Sequence, residues 1–260
     1  MNILETKNLG ITFGGLRAVS NVNFEAGQGD ITAIIGPNGA GKTTLFNLIA
    51  GYYTPTQGRV FFKGQDITDT KPFRRTKIGI ARTFQNINLF REMSVMDNAL
   101  VGHHCRMKCD PLSAMLNLPG KAKEEKQSRK EIMEVLEFMG LAKYANEPAG
   151  SLSYGLQKNL EIVRALVSRP EVILLDEPAS GLNTQDLGEL SKRIVAIRDR
   201  GISVVLIEHK MDVVMSISDK IMVLNFGETI ACGTPEQVAL DQAVIEAYLG
   251  KEDCDDASAS

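Results

Sequence analysis

Long hydrophobic runs are missing from this sequence of 260 residues. The compact apolar stretches Val172 to Leu175 and Val204 to Ile207 fall far short of the roughly 18 residues that a membrane-spanning helix needs. The chain is therefore expected not to cross a bilayer by itself. Paired cysteines are lacking too: Cys105, Cys109, Cys232 and Cys254 are scattered and form no C-x-x-C pair, which suits a reducing compartment. His103 and His104 stand beside Cys105 and Cys109. Zinc sites usually draw on two well-separated ligand pairs, no second pair exists, and a metal reading is set aside. Basic excess is absent as well. A formal charge of -3 and a pI near 5.7 argue against a nucleic-acid surface, which depends on dense Lys/Arg patches. Met1 to Leu9 carries neither a basic leader nor a long apolar stretch, so no secretory signal is expected and a cytoplasmic location is.

What is present describes a globular chain. With 43% apolar and 23% charged residues it can bury a sizeable core, and its length fits one large domain or a core with one inserted subdomain. No internal repeat and no proline- or glycine-rich linker divides it. Strand and helix patterns alternate instead. Asp30 to Ile35, Arg59 to Lys63, Val172 to Leu175, Ser203 to Ile207 and Lys220 to Leu224 read as strands; Lys42 to Ala50, closed by Gly51, and Gln185 to Arg200 read as helices. Such alternation predicts a largely parallel sheet covered on its faces. From about Ser94 to Val167 no strand is evident, and Ile132, Val135, Leu136 and Met139 recur at helical spacing, which predicts an all-helical insertion. Lys121 to Glu131 reads as a solvated helix face, Pro111, Pro119 and Gly120 as loops, and the acidic tail after Lys251 as frayed.

The strongest motif is Gly36-Pro37-Asn38-Gly39-Ala40-Gly41-Lys42-Thr43, a full match to G-x-x-x-x-G-K-[ST] lying between a predicted buried strand and a predicted helix. Such a loop wraps backbone N–H groups around phosphates while the helix N-terminus adds partial positive charge. Lys42 would reach the β- and γ-phosphates of a bound nucleotide, and the Thr43 hydroxyl, followed by Thr44, would ligate Mg²⁺. A second half follows at Val172-Ile173-Leu174-Leu175-Asp176-Glu177, an apolar strand that delivers two carboxylates to the crevice where open α/β sheets bind ligands. Asp176 is then the metal partner, acting through water, and Glu177 is placed to orient and deprotonate an attacking water.

No Asn-Lys-x-Asp base-reading motif is present, which argues against a guanine-specific switch protein. Small-molecule kinases stay open on the loop alone. Leu152-Ser153-Tyr154-Gly155-Leu156-Gln157 lies about twenty residues ahead of Asp176 and resembles the Leu-Ser-Gly-Gly-Gln signature of ABC transporter ATPases. The resemblance covers nearly the whole chain. It implies a P-loop NTPase core with a mostly parallel sheet, an antiparallel β N-terminal part and an inserted all-helical subdomain. It further implies that Phe13 stacks on adenine, that Gln85 is the Q-loop glutamine, touching nucleotide and metal, that Ser180 to Asn183 form the D-loop and that His209 is the switch histidine. By the same resemblance Ser153 and Gly155 meet the γ-phosphate of a nucleotide bound to a partner chain. ATP is then the adhesive of a head-to-tail dimer. Tyr154 and Leu156 depart from the signature, and Asn183 replaces a common Asp.

The likeness narrows at Phe13 to Ala18, Arg82 to Met93, the Tyr154-bearing signature, and Gly233-Thr234-Pro235-Glu236 leading to Ala247-Tyr248-Leu249-Gly250. These are similar to the ATP-binding subunits of branched-chain amino acid importers, the LivG type. That resemblance implies a second ATPase subunit, identical or related, two membrane permease subunits and, indirectly, a solute-binding protein, with the chain held peripherally on the inner face of the cell membrane. It also implies a cleft near Thr83 to Asn86, Leu89 and Phe90 that receives a permease helix. The expected division is a nucleotide-binding core of residues 1–86 and 161–260 and a helical subdomain of residues 87–160. The competing function is a non-transport ABC ATPase of repair or translation.

Overall fold

The computed structural model describes residues 1–106 and 119–249. Its first sheet is antiparallel and built from β1 (Asn2–Phe13), β2 (Leu16–Val22), β3 (Glu25–Gly27), β5 (Gln57–Phe62) and β6 (Gln65–Asp66), in the order β2-β1-β5-β6 with β3 on β1. The second contains β4 (Ile31–Ile35), β7 (Ile80–Arg82), β8 (Val172–Asp176), β9 (Ser203–Ile207), β10 (Lys220–Asn225) and β11 (Glu228–Gly233), in the order β11-β10-β4-β9-β8-β7. All its neighbours are parallel except the hairpin β10–β11. This is the α/β architecture the alternation predicted.

Burial on both faces explains the continuous apolar runs of β4, β8 and β9. Alternate side chains divide between two cores. Ile34, Val172, Leu174, Val205 and Ile207 pack with Leu45, Phe46 and Ile49 of α1 (Lys42–Ala50) and with Leu4, Leu9, Val60 and Phe62 of the antiparallel sheet. α1 is thereby clamped between the two sheets. Each such apolar side chain contributes about 1.5–3 kcal/mol on burial, so the helix that carries the phosphate loop is held firmly. Its last carbonyls, Leu48 and Ile49, accept from the buried guanidinium of Arg75 in α2 (Pro72–Ile78), which also donates to Ile67, Thr68 and Thr70 carbonyls. Burial pushes the Arg75 pKa down to about 10.

The other core joins Ile31, Ala33, Ile35, Ile173, Leu175, Val204 and Leu206 to helices α3 (Val95–His103), α4 (Pro119–Phe138), α5 (Tyr154–Leu166), α6 (Thr184–Asp199) and α7 (Met211–Ile217). Two short helices, α8 (Pro235–Ala239) and α9 (Gln242–Leu249), follow the last strand. Asn98 of α3, fully buried, pins the segment before its own helix: its amide donates to the Phe90 and Ser94 carbonyls and its oxygen accepts from Phe90 N–H, each at 3.0 Å.

Several local expectations shift. β5 ends at Phe62 because Lys63 and Gly64 turn with φ of 52° and 76°, closing the hairpin to β6. Asp30 lies outside β4, and α6 begins one residue early because the Asn183 side chain caps it, accepting from Asp186 N–H at 2.9 Å. Pro119 and Gly120 open α4 rather than forming a loop; a proline is tolerated there because the first helical N–H has no helical partner. Glu125 and Arg129 of α4 pair at 3.2 Å, with both side chains half-exposed, as a solvated face would. Between Ser94 and Val167 the described residues hold no strand, only an isolated bridge between Ser94 and Pro148. The expected boundary at residue 160 falls inside α5. Cys109, Pro111, Gly250, Cys254 and the acidic tail lie outside the described residues. Among those described, no helix is long and apolar enough to cross a membrane, and no group of three His, Cys, Asp or Glu side chains is placed to hold a metal ion. Instead, His103 Nδ1 lies 3.0 Å from the Val167 carbonyl and Cys105 Sγ is directed at that of Gly102.

Candidate nucleotide site

Parallel strands end on one edge of their sheet, and here four of those ends carry the motifs. β4 runs into Gly36, β8 into Asp176 and Glu177, β9 into Glu208 and His209, and β7 into Arg82 and, three residues on, Gln85. Register places Asp176 beside Ile207 and Arg82 beside Leu174. Ligands of open α/β sheets bind at such a carboxyl edge.

The phosphate loop owes its path to glycine. Gly36 has φ of 148° and a Cβ there would sit 2.0 Å from the Leu224 carbonyl oxygen; Gly41 has φ of 99° and a Cβ would meet the Ala18 carbonyl at 2.5 Å. The loop is braced from outside by the β10–β11 turn, where Gly227 N–H donates to the Ala40 carbonyl at 2.9 Å. Lys42 Nζ donates to the carbonyls of Gly36 and Pro37 at 2.6 and 2.9 Å. No acidic residue occupies the first turn of α1, so nothing on the helix itself offsets its positive end. A cavity of about 500 Å³ opens over this end. Asn38, Gly39, Ala40, Gly41, Lys42, Thr43 and Thr44 form its floor, Glu177 and His209 one wall, and Leu16, Arg17, Ala18 and Phe226 the other.

Glu177 is held in left-handed backbone, φ 47°, uncommon for a residue with a side chain, and its N–H donates to the Ile207 carbonyl at 3.0 Å. Its carboxylate is gripped from two sides. Gln85 Nε2 donates to Oε2 and His209 Nε2 lies on Oε1, both at 2.8 Å. A carboxylate can only accept, so Nε2 of His209 is the donor in this arrangement. Three residues picked from distant parts of the sequence thus meet at one group.

Asp176 is almost fully buried. Oδ2 accepts from Arg82 Nη2 at 2.8 Å, while Oδ1 is sealed from solvent without a hydrogen-bond partner. Buried polar atoms are nearly always paired. An orphaned carboxylate oxygen at the strand end, together with the Thr43 hydroxyl on the cavity floor, is a hard-oxygen donor set that fits a Mg²⁺ ion.

Ser153 and Gly155 lie apart from this cavity. Ser153 caps α5 by position but makes no side-chain capping bond, and it is exposed. A Cβ on Gly155 would come 3.0 Å from the Asp186 carboxylate, so any larger residue there must push that side chain aside. The Tyr154 ring lies against Gly181 of the D-loop segment. Phe13 does not line the cavity. It faces the ring of Tyr53 edge-on at 5.3 Å, and its cross-strand partner is Leu16, which does line the cavity.

Sequence reasoning missed several residues that shape the site. Phe226, 84% exposed and with φ of 47°, stands at the tip of the β10–β11 turn on the cavity wall. Glu208 is buried; it accepts from Ala179 N–H at 2.6 Å and from His209 N–H at 3.1 Å, bracing the segments on either side of Glu177. Burial pushes its carboxyl above the usual carboxylate range. On α5, Lys158 donates to the Gln85 carbonyl at 2.8 Å, Glu161 accepts from Asn88 N–H at 2.8 Å, and Arg164 donates to the Asn88 carbonyl. Burial lowers the Lys158 pKa and raises that of Glu161. Nothing in the sequence signalled the role of these three, which lie away from the Leu156, Leu160 and Val163 stripe at helical spacing; Glu208 had the signal of preceding His209. The segment they hold lines a second cavity of about 200 Å³ with Thr83, Phe84, Asn88, Glu161 and Arg164 among its walls.

The family model described as ABC transporter matches residues 19–180, and one described as branched-chain amino acid ATP-binding cassette transporter matches residues 228–254. The chain belongs to the ABC transporter ATPases. Among its relatives, the high-affinity branched-chain amino acid transport ATP-binding protein LivG of Escherichia coli K12 is 42% identical over 250 residues, 96% of this chain and 98% of LivG. The crystal structure of the ADP conformation of an ABC transporter cassette superposes with a TM-score of 0.85 at 36% identity, covering 96% of this chain and 99% of that one. A dimeric bacterial ABC transporter cassette matches with a TM-score of 0.75 at 26% identity, over 89% of this chain and 98% of the other. This ABC ATPase accordingly binds nucleotide, and cassettes of its family work as dimers with permease partners.

Proposed function

We propose that this ABC ATPase is the ATP-hydrolysing subunit of an importer for branched-chain amino acids, or a related amino acid or amide. The observation that carries the reading is the convergence of the phosphate loop, Glu177 and His209 on one cavity while Ser153 heads a helix outside it. Such a chain holds half of each of two sites. The LivG relative and the C-terminal family model support the solute class, and neither favours a repair or translation ATPase.

Residues 36–44 bind the phosphates of ATP, with Lys42 on the β- and γ-phosphates, and Leu16, Ala18 and Phe226, beside Phe13, form the apolar end for the base. Thr43, Asp176 through water, and Gln85 would hold Mg²⁺, which when bound neutralises charge on the transferring phosphoryl group. Glu177 orients and deprotonates the attacking water, and His209 sets the position of its carboxylate. The second subunit adds its Ser153 hydroxyl and Gly155 N–H with the positive end of α5, so ATP joins two chains and loss of the γ-phosphate parts them. Among the described residues the strands fall within residues 2–82 and 172–233, which supports a core of 1–86 and 161–260 around a helical subdomain of 87–160. Two permeases, fed by a solute-binding protein, hold the chain to the inner face of the membrane through the cleft at Thr83 to Phe90, and the ATPase partner is a second subunit, identical or related.

The test is reconstitution of the chain with its permeases and second cassette in proteoliposomes. Leucine, isoleucine or valine supplied with the solute-binding protein is expected to stimulate ATP hydrolysis and to accumulate inside. Hydrolysis indifferent to these amino acids and equally to related amino acids and amides, or raised by nucleic acid instead, overturns the reading.

A further inference from the structure

Arg82 closes β7 three residues before Gln85, and its side chain is 8% exposed. Nη2 donates to Asp176 Oδ2 at 2.8 Å, and Nη1 donates to Asn47 Oδ1 at 2.6 Å, on α1 little more than one turn beyond Lys42. Three rings surround the guanidinium: Phe46, Tyr52 and Phe84, with centroids 5.7, 5.4 and 5.6 Å away. Tyr52 and Phe84 meet edge to face, which closes the box. Nε has no hydrogen-bond partner. Stability is weak grounds for keeping such an arrangement, because a buried ion pair is often no better than an apolar replacement of equal volume. Its distinctive effect is geometric. A guanidinium fork fixed by aromatic walls and by Asn47 pins one oxygen of Asp176, so the carboxylate cannot rotate and Oδ1 keeps the single orientation in which it has no protein partner.

We propose that Arg82, steadied by Asn47, is the positioning residue of Asp176: it pins Oδ2 so that Oδ1 stays the unpaired oxygen, the one left as the acceptor for the metal's coordination shell. The inference rests on the reading of Asp176 as the metal-side carboxylate. Arg82 also lines the second cavity beside Thr83 and Phe84, so one side chain touches both that cleft and the metal side of the nucleotide site.

The experiment measures Mn²⁺ uptake by the ATP-bound chain, reading free Mn²⁺ by electron paramagnetic resonance, and ATP binding in EDTA. Arg82→Gln is expected to weaken Mn²⁺ binding about 10–100-fold, the range seen when the partner of a metal ligand is removed, while ATP binding in EDTA stays unchanged. Asp176→Asn is expected to lose as much, and the double variant no more than either alone. Arg82→Lys recovers part of the loss. Should Arg82→Gln fail to fold, Asn47→Ala carries the same comparison, with a smaller loss of Mn²⁺ affinity expected. Unchanged Mn²⁺ affinity in a variant that merely melts earlier overturns the proposal, as does an equal loss of ATP binding in EDTA or an additive double variant. A wild-type chain that binds ATP yet takes up no Mn²⁺ removes the reading of Asp176 itself.

Discussion

The phosphate-loop end of the chain and its signature end are built by different means. Around residues 36–44 the working groups are backbone amides, glycine dihedrals and one lysine, held because α1 is clamped between two sheets. At α5 the working surface is an exposed helix start; beside the core contacts of Leu160, Val163 and Leu166, the buried charges of Lys158 and Glu161 and the part-buried Arg164 grip the backbone of Gln85 to Asn88. Backbone geometry makes a site that is ready before ligand arrives. Charged side chains gripping a loop make a joint, in which moving the signature helix must move the loop that carries Gln85.

That contrast can be broken at several points. The largest effects belong to the phosphate-loop side: Glu177→Gln should keep ATP binding while turnover falls about 10²–10⁴-fold, whereas Lys42→Ala should lose ATP binding itself, both read by nucleotide titration and phosphate release. On the other side, Ser153→Ala should leave ATP binding by the single chain untouched and reduce hydrolysis by the pair about 10²–10³-fold, by analogy with loss of one preorganised donor; equal weakening of ATP binding by the isolated chain would place Ser153 in its own chain's site. Glu161→Ala should destabilise the fold by about 1–3 kcal/mol in urea unfolding, because Asn88 N–H loses its buried acceptor. No stability change would show that the joint is slack.

The smallest effect is a pH dependence at Glu208. Its folded pKa lies above the unfolded value because burial disfavours the charged form, so the folded state binds the extra proton. The stability it contributes is fully present below the unfolded pKa and is lost as pH rises through the raised folded one. Glu208→Gln should flatten that part of the stability curve. A curve of unchanged slope would mean that the carboxylate pays no desolvation cost there.

Much of this was legible in the residues. The phosphate loop declares itself because only glycine tolerates the dihedrals at 36 and 41, and the strands at 172–176 and 203–207 do so because burial on both faces demands unbroken apolar runs. Most of the antiparallel sheet was not. β1 runs twelve residues from Asn2 with a burial pattern that breaks alternation where register shifts against β2 and β5, and β6 holds only two residues, too few for any periodicity. Phe226 was invisible because an exposed aromatic in a turn carries no periodic signal, and the edge-on contact of Phe13 with Tyr53 joins residues far apart in the chain.

Taken alone, the order of residues determined that a nucleotide loop, two strand-end carboxylates and a signature helix exist, since each depends on local dihedrals, on uninterrupted apolar runs or on a helix start. Tertiary structure decided which of these meet. Gln85, Glu177 and His209 converge on one carboxylate, and Arg82, Asn47 and Asp176 on one guanidinium, because the carboxyl ends of parallel strands share an edge of the sheet whatever their distance along the chain. Proximity of that kind follows from strand order and register, which no local pattern encodes.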